Sequence, residues 1–185
     1  MKDAESRQLL FVVHKHKATT LHYDFRLQIG DVMPSWSVPK GPTLDSSVKR
    51  LALPTTDHEL EYRKFEGVIP EKEYGAGPVM IWDEGVYDAE IEVAKGVRKE
   101  IKDKAEGDKV MKEGLKAGNL KFRLYGKKLQ GSFALIKTRG FGGSKESWLL
   151  IKHKDEYSSN GYDAADYDYS AATGRSLAEI ANEAS

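Results

Sequence analysis

From residue 9 to residue 93 the chain alternates apolar and polar positions in short runs, the period of a β-strand with one buried face. Leu9–His16 opens as an apolar run and ends alternating, and Leu21–Ile29 alternates until the turn pair Gly30-Asp31. Ser35–Val38 reads as a short strand stopped by Pro39-Lys40-Gly41-Pro42, which neither a helix nor a central strand continues. Ala52–Pro54 and Leu60–Tyr62 are too short to assign, and Phe65–Ile69 runs up to Pro70. Tyr74-Gly75-Ala76-Gly77-Pro78 predicts a tight bend into Val79–Trp82, and Asp83-Glu84-Gly85 a turn into Val86–Val93. The period then changes. Residues 94–118 are rich in Lys and Glu, and Val110, Met111 and Leu115 give a helical stripe, predicting a short helical insertion over about residues 100–117. Strands resume at Leu120–Tyr125, Gly131–Thr138 and Trp148–His153, with a glycine-rich loop over Gly140-Phe141-Gly142-Gly143-Ser144. Ser158–Ser170 is polar, tyrosine-rich and expected to be irregular, and Ser176 can cap a short C-terminal helix over Leu177–Asn182.

Strands at this regular short spacing predict a mainly β barrel or sandwich rather than βαβ units. We divide the chain into an N-terminal tail (1–8), a single domain (9–157) and a polar C-terminal tail with the short helix (158–185). At 39% hydrophobic over 185 residues, one core is affordable. The 29 basic and 29 acidic residues cancel, so any contact with a polyanion must be local. The absence of cysteine excludes disulfides, thiolate metal sites and cysteine nucleophiles. Met1 to Gln8 is polar, unlike a signal peptide, and no apolar run is long enough to span a bilayer. A cytoplasmic monomer without a membrane partner is the expectation.

The most reactive pattern is Leu21-His22-Tyr23-Asp24-Phe25-Arg26-Leu27. If the apolar positions face the core, His22, Asp24 and Arg26 line the other face, about 6.5–7 Å apart. His14 and His16 share a face of the preceding strand, and a turn at Lys17-Ala18-Thr19-Thr20 would bring His16 opposite His22 with Asp24 beside them. Two imidazoles and a carboxylate can take one face of a metal's coordination sphere and suit Mn²⁺, Fe²⁺, Co²⁺ or Zn²⁺. Arg26 would present its fork to an anionic oxygen held nearby. Spacing alone leaves this reading and an ordinary surface cluster equally open. His58 and Tyr62 share a face whether the segment is strand or helical turn, and Lys40 could meet a phosphate; both also have bland readings. His153 sits in a charged strand end and His14 is a supporting group or simply exposed. No phosphate-binding P-loop, nucleophile elbow or dinucleotide fingerprint is present.

A succession of motifs then narrows the choice. Phe11-Val12-Val13-His14-Lys15-His16, the His22-Tyr23-Asp24-Phe25-Arg26 stretch, Trp36-Ser37-Val38-Pro39-Lys40-Gly41-Pro42 and Lys49-Arg50-Leu51-Ala52 come first. Asp57-His58, Phe65-Glu66-Gly67-Val68-Ile69-Pro70, Tyr74-Gly75-Ala76-Gly77 and Ile81-Trp82-Asp83-Glu84-Gly85 follow in order. From about residue 9 to 156 this resembles the 3′-phosphoesterase domain of DNA ligase D, in a stand-alone form; Thr173-Gly174-Arg175-Ser176-Leu177 resembles the segment that follows it. The resemblance implies a compact, closed or nearly closed barrel of mostly antiparallel strands. It implies a Mn²⁺-dependent enzyme, with Co²⁺ or Zn²⁺ in its place, that hydrolyses a 3′-phosphate on DNA and removes a 3′-terminal ribonucleoside. Carried over, His16, His22 and Asp24 match the metal ligands, and Arg26, His58 and Tyr62 the catalytic residues that contact the phosphate. His14 stands where that family commonly has Gln. No clear match to the family's N-terminal extension precedes Phe11, so phosphate removal is the first activity expected. The partners implied are DNA 3′ ends, with primer-template as the substrate form, and a ligase or polymerase acting in trans.

Two other classes compete. A non-haem Fe(II) oxygenase would use His22, Asp24 and His58 as its triad, and a non-catalytic single-strand-binding barrel would stack bases on aromatics without metal-dependent hydrolysis.

Overall fold

The computed structural model describes residues 7–139 and 146–183. Strands β1 (Leu9–Lys17), β2 (Leu21–Leu27), β3 (Val32–Val38) and β4 (Lys49–Glu59) come first, followed by a 3-10 turn at Leu60–Lys64. Next are β5 (Gly67–Ile69), the long β6 (Gly77–Ala94), β7 (Val97–Ile101), helix α1 (Lys104–Ala117), β8 (Asn119–Gly126), β9 (Gln130–Thr138) and β10 (Ser147–Lys152). A 3-10 turn at Ala164–Tyr167 and helix α2 (Leu177–Glu183) complete the chain. The sheet runs β1-β2-β3-β4-β10-β9-β8-β6, and β6 pairs back onto β1, so eight antiparallel strands close into a barrel. Strand direction alternates around such a ring, which therefore needs an even number of strands. β5 and β7 are attached outside the ring, each on β6.

Alternation assigns the two faces. Phe11, Phe25, Trp82, Tyr87, Phe122 and Phe133 point inward and are essentially fully buried. Their rings pack at centroid distances such as 5.8 Å for Phe25–Phe122 and 6.2 Å for Phe122–Phe133. These side chains fill the interior of the eight-stranded barrel, which leaves its outer face for a site. On that outer face Val12, Met33 and Ile81 form a second, small apolar patch, and Leu60 packs on it. The patch seats the 3-10 turn above β1 and β2.

α1 is capped by Asp103, which accepts from the Glu106 N–H at 2.9 Å, and ends at Gly118 with φ 75°. Ser176 and Glu179 form a reciprocal capping box at α2, with bonds of 3.1 and 3.2 Å. Residues beyond 158 lie against the barrel: Ala164 and Ile180 join the core, and the Trp82 indole donates to the Tyr167 carbonyl at 2.9 Å. Among the described residues no helix is long and apolar enough to cross a membrane.

Several expected elements change. The turn at Asp83-Glu84-Gly85 is absent, because β6 runs through it with a register shift opposite Val13/His14. Asp83 instead accepts from the backbone N–H groups of Lys127, Lys128 and Leu129, shaping the turn between β8 and β9. Part of the predicted helical insertion is strand β7, whose exposed Lys and Glu hide its period. Ser35–Val38 extends back to Val32 across Pro34, which is tolerated at a bulge between Met33 and Ser35. Ala52–Pro54 belongs to one long strand, while Leu60–Tyr62 begins the 3-10 turn. The loop Gly140–Ser144 and residues 1–6 of the expected tail lie outside the described residues.

Candidate active site

The β1–β2 hairpin aligns His16 with His22 and His14 with Asp24 on its outer face, as the turn at residues 17–20 requires. The ligating atoms of His16, His22 and Asp24 lie within 4.8 Å of one another. One atom is their meeting point. Asp24 Oδ2 is 3.9 Å from His16 Nδ1, 3.4 Å from His22 Nε2 and 3.3 Å from Arg26 Nη2.

Backbone carbonyls set both imidazoles. His16 Nε2 lies 2.6 Å from the Gly75 carbonyl, and His22 Nδ1 lies 3.3 Å from that of Thr20. A carbonyl only accepts, so the ring nitrogen facing it carries a proton. The other nitrogen, turned towards Asp24, offers a lone pair whenever the ring is neutral and donates to the carboxylate when it is charged. A metal-ligating histidine is ordinarily held in this way. Gly75 reaches His16 because the chain bends sharply before β6: a side chain at Gly77 (φ 134°) would start 1.9 Å from the Lys17 carbonyl oxygen. The donor set of two imidazoles and a carboxylate fits a divalent ion of the Mn²⁺ to Zn²⁺ type.

Arg26 lies opposite Val12 in the hairpin, and its guanidinium folds back along the strand with only 3% of the side chain exposed. Nε donates to His14 Nδ1 at 3.1 Å, Nη2 to Asp24, and Nη1 lies 3.0 Å from His58 Nδ1. The Tyr62 ring covers it at 5.1 Å. Because His14 Nδ1 accepts from Arg26, Nε2 carries the proton and donates to the Phe65 carbonyl at 3.0 Å. His14 is thus fully buried and fastened on both nitrogens; the alternative of an exposed group is corrected. His58, near the end of β4, and Tyr62, in the 3-10 turn, pack with ring centroids 4.6 Å apart. Phe65 stacks on Tyr62 at 5.5 Å.

Burial, helped by the Arg26 charge, pushes the His14 imidazole down to about 3. Burial also lowers His16, and burial together with Arg26 lowers His58. The hydrogen bond to Asp24 raises His22. Burial opposes the Asp24 charge, but His22 and Arg26 outweigh it and hold the carboxyl below its usual range. Burial raises Tyr62, which keeps its hydroxyl proton at neutral pH.

Not every candidate joins this cluster. Lys40 is exposed in the turn after β3, outside the bonded network. His153 closes β10, where its N–H donates to the Ser132 carbonyl at 2.8 Å. His58 is beside Arg26 rather than in the convergent donor set, where His16 stands instead; this disfavours the oxygenase triad. The carbonyls of Thr20, Phe65 and Gly75 were not identified from sequence, because no side-chain pattern reports a backbone oxygen. The glycines of the 75–77 bend are the one hint.

The profile of the DNA Ligase D 3′-phosphoesterase domain matches residues 14–137. The multifunctional non-homologous end joining protein LigD of Pseudomonas aeruginosa is 44% identical over 147 residues, 80% of this chain and 15% of its own length. The multifunctional non-homologous end joining DNA repair protein LigD of Mycobacterium tuberculosis is 40% identical over 146 residues, 79% of this chain and 16% of its own length. The multifunctional non-homologous end joining protein LigD of Mycolicibacterium smegmatis is 37% identical over 146 residues, 79% of this chain and 17% of its own length. The chain therefore spans under a fifth of the length of these relatives.

Proposed function

We propose, for a chain that belongs to the 3′-phosphoesterase domain family of DNA ligase D, a metal-dependent hydrolase that restores 3′-hydroxyl ends on DNA for end joining. The observation that carries the reading is the single oxygen of Asp24 facing His16, His22 and Arg26 together. A site for a divalent cation and a site for an anionic oxygen thereby share a wall.

His16, His22 and Asp24 would hold Mn²⁺, or Co²⁺ or Zn²⁺ in its place. When bound, such an ion supplies Lewis acidity to a phosphate oxygen and lowers the pKa of a nearby water. Arg26 has five N–H donors, of which the described bonds use three, leaving one on each terminal nitrogen. That pair can engage two phosphate oxygens and offset charge accumulating on them. Tyr62, protonated, would orient the phosphate through its hydroxyl. His58 Nδ1 lies between Arg26 Nη1 at 3.0 Å and the Thr56 carbonyl at 2.9 Å, and a proton on its Nε2 would make that nitrogen a donor for the departing 3′-oxygen. Lys40, exposed nearby in sequence to β3, would steer the strand.

The test is a 5′-labelled primer-template ending in 3′-phosphate, incubated with each divalent metal and with EDTA. Conversion to a 3′-hydroxyl with Mn²⁺ is expected; on a primer ending in one ribonucleotide the ribonucleoside would leave first and the 3′-phosphate it exposes would then be hydrolysed. Single-strand binding in EDTA without hydrolysis under any metal would replace this reading with the non-catalytic barrel. The healed ends would pass to a DNA ligase or polymerase, in the cytoplasm.

A further inference from the structure

The C-terminal segment reaches the site through a chain of directed bonds. Phe65 and Glu66 lie between the 3-10 turn and β5, outside the strand ladder. The Glu66 side chain is only 5% exposed. Its Oε1 accepts from the Ile81 N–H at 2.9 Å; its Oε2 accepts from the Thr173 hydroxyl at 2.6 Å and from Arg175 Nη2 at 2.8 Å. Burial alone would raise the Glu66 carboxyl, but the side chains of Ser170, Thr173 and Arg175 and the Ile81 N–H outweigh it. The group is therefore a carboxylate at neutral pH and its bond to Arg175 an ion pair.

Arg175 is itself fixed. Its Nε donates to the Thr173 hydroxyl at 3.0 Å, its Nη1 pairs with Glu183 of α2, and its carbonyl accepts from the Ser170 N–H at 2.8 Å. On the other side, Phe65 makes two contacts into the site. Its carbonyl accepts from His14 Nε2, and its ring stacks on Tyr62. Those are the groups behind and above the Arg26 guanidinium.

We propose that Glu66 and Arg175 are positioning residues for this site. Their ion pair places Phe65, and Phe65 places His14 through its carbonyl and Tyr62 through its ring, so the C-terminal segment sets how Arg26 is presented. The role rests on the phosphate-contacting part assigned above to Arg26. β5 pairs with β6 over three residues only. Among the described residues, the two before it make just the bonds from the Phe65 N–H to the Tyr62 carbonyl and from the Ile81 N–H to the Glu66 carboxylate, besides those to the C-terminal segment and to His14. A site that depends on placement to about half an ångström needs a separate anchor there.

The experiment compares the full chain with Arg175→Ala, Arg175→Lys and Glu66→Gln. It reads KM and kcat for 3′-phosphate hydrolysis in saturating metal, the melting temperature, and the ring nitrogen resonances of His14. For Arg175→Ala we expect KM to rise about tenfold with kcat held within about twofold, because misplaced Arg26 weakens phosphate binding. The His14 resonances should move, and Arg175→Lys should recover part of the KM. A fall in kcat at unchanged KM would mean only a smaller folded fraction and would overturn the proposal. So would unmoved His14 resonances in a folded Arg175→Ala variant. If Arg175→Ala does not fold, Glu66→Gln, nearly isosteric, is judged by the same readouts. If the unaltered protein hydrolyses nothing, the functional reading fails while the His14 resonances still decide the positioning.

Discussion

Replacing His14 by alanine tests the buried network without assuming any activity. His14 is fully buried, and its two ring nitrogens bond to Arg26 Nε and to the Phe65 carbonyl at 3.1 and 3.0 Å. Alanine leaves one charged donor and one carbonyl without those partners. An orphaned buried group costs about 1–3 kcal/mol, more when charged, so the pair amounts to roughly 3 kcal/mol after some relaxation. For a chain of this size that lowers the melting temperature by roughly 6–12 °C. Glutamine is the informative control: its amide oxygen can accept from Arg26 while its nitrogen donates to Phe65. Urea titration should therefore place His14→Gln within about 1 kcal/mol of the unaltered protein and His14→Ala well below it. If His14→Ala lost less than about 0.5 kcal/mol, or if glutamine were as harmful as alanine, the bonding scheme around Arg26 would be wrong.

Metal at a hundredfold excess over its dissociation constant should stabilise the fold by about 2.7 kcal/mol, and EDTA should reverse the shift. His22→Ala should abolish that shift in a melting assay, and an unaltered protein indifferent to every divalent ion would count against the site. Asp24→Ala should eliminate hydrolysis of a 3′-phosphate primer whereas His153→Ala should not; a Mn²⁺-rescued Asp24→Ala enzyme would contradict the assignment. Gly77→Ala should weaken metal binding by displacing the bend that carries the Gly75 carbonyl; unchanged affinity by calorimetry would disprove that dependence. Lys128 packs between the Trp82 and Tyr169 rings, and burial pushes its ammonium down to about 8. Folded chains then bind fewer protons than unfolded ones between about 8 and the ordinary lysine value of ~10.4, so stability rises with pH across that window. Urea midpoints at both ends should show the rise relative to Lys128→Met, and parallel curves would refute it.

Much of the hairpin was legible because its chemistry and period coincide. Tyr23, Phe25 and Leu27 mark the buried face, which leaves His22, Asp24 and Arg26 together on the other. What alternation could not reveal is that this second face is also covered. Asp24 and Arg26 are buried because Leu60 seats the 3-10 turn over them, and Leu60 belonged to a segment too short to assign. His58 and Tyr62 share a face in either local structure, so only tertiary packing could bring them to Arg26. Glu84 and Gly85 look like a turn in sequence. In the barrel, Gly85 continues the strand because a side chain there would meet the Tyr125 carbonyl oxygen at 2.3 Å. Close approach between two strands and a turn both call for glycine, and local sequence does not separate them.

The pairing of β1 with β6 that closes the ring joins residues as distant as Leu9 and Tyr87. Such a contact repays the entropy of a long loop only once it forms. The hairpin bearing His16, His22 and Asp24 is local and needs no such search. Gly75 and Phe65, which fix the tautomers of His16 and His14, arrive only with the chain that swings in alongside β6. An open sheet would thus hold the donor atoms but not their proton arrangement. In a refolding chain, tight metal binding would then mark the moment the ring shuts, making the site a clock for its own fold.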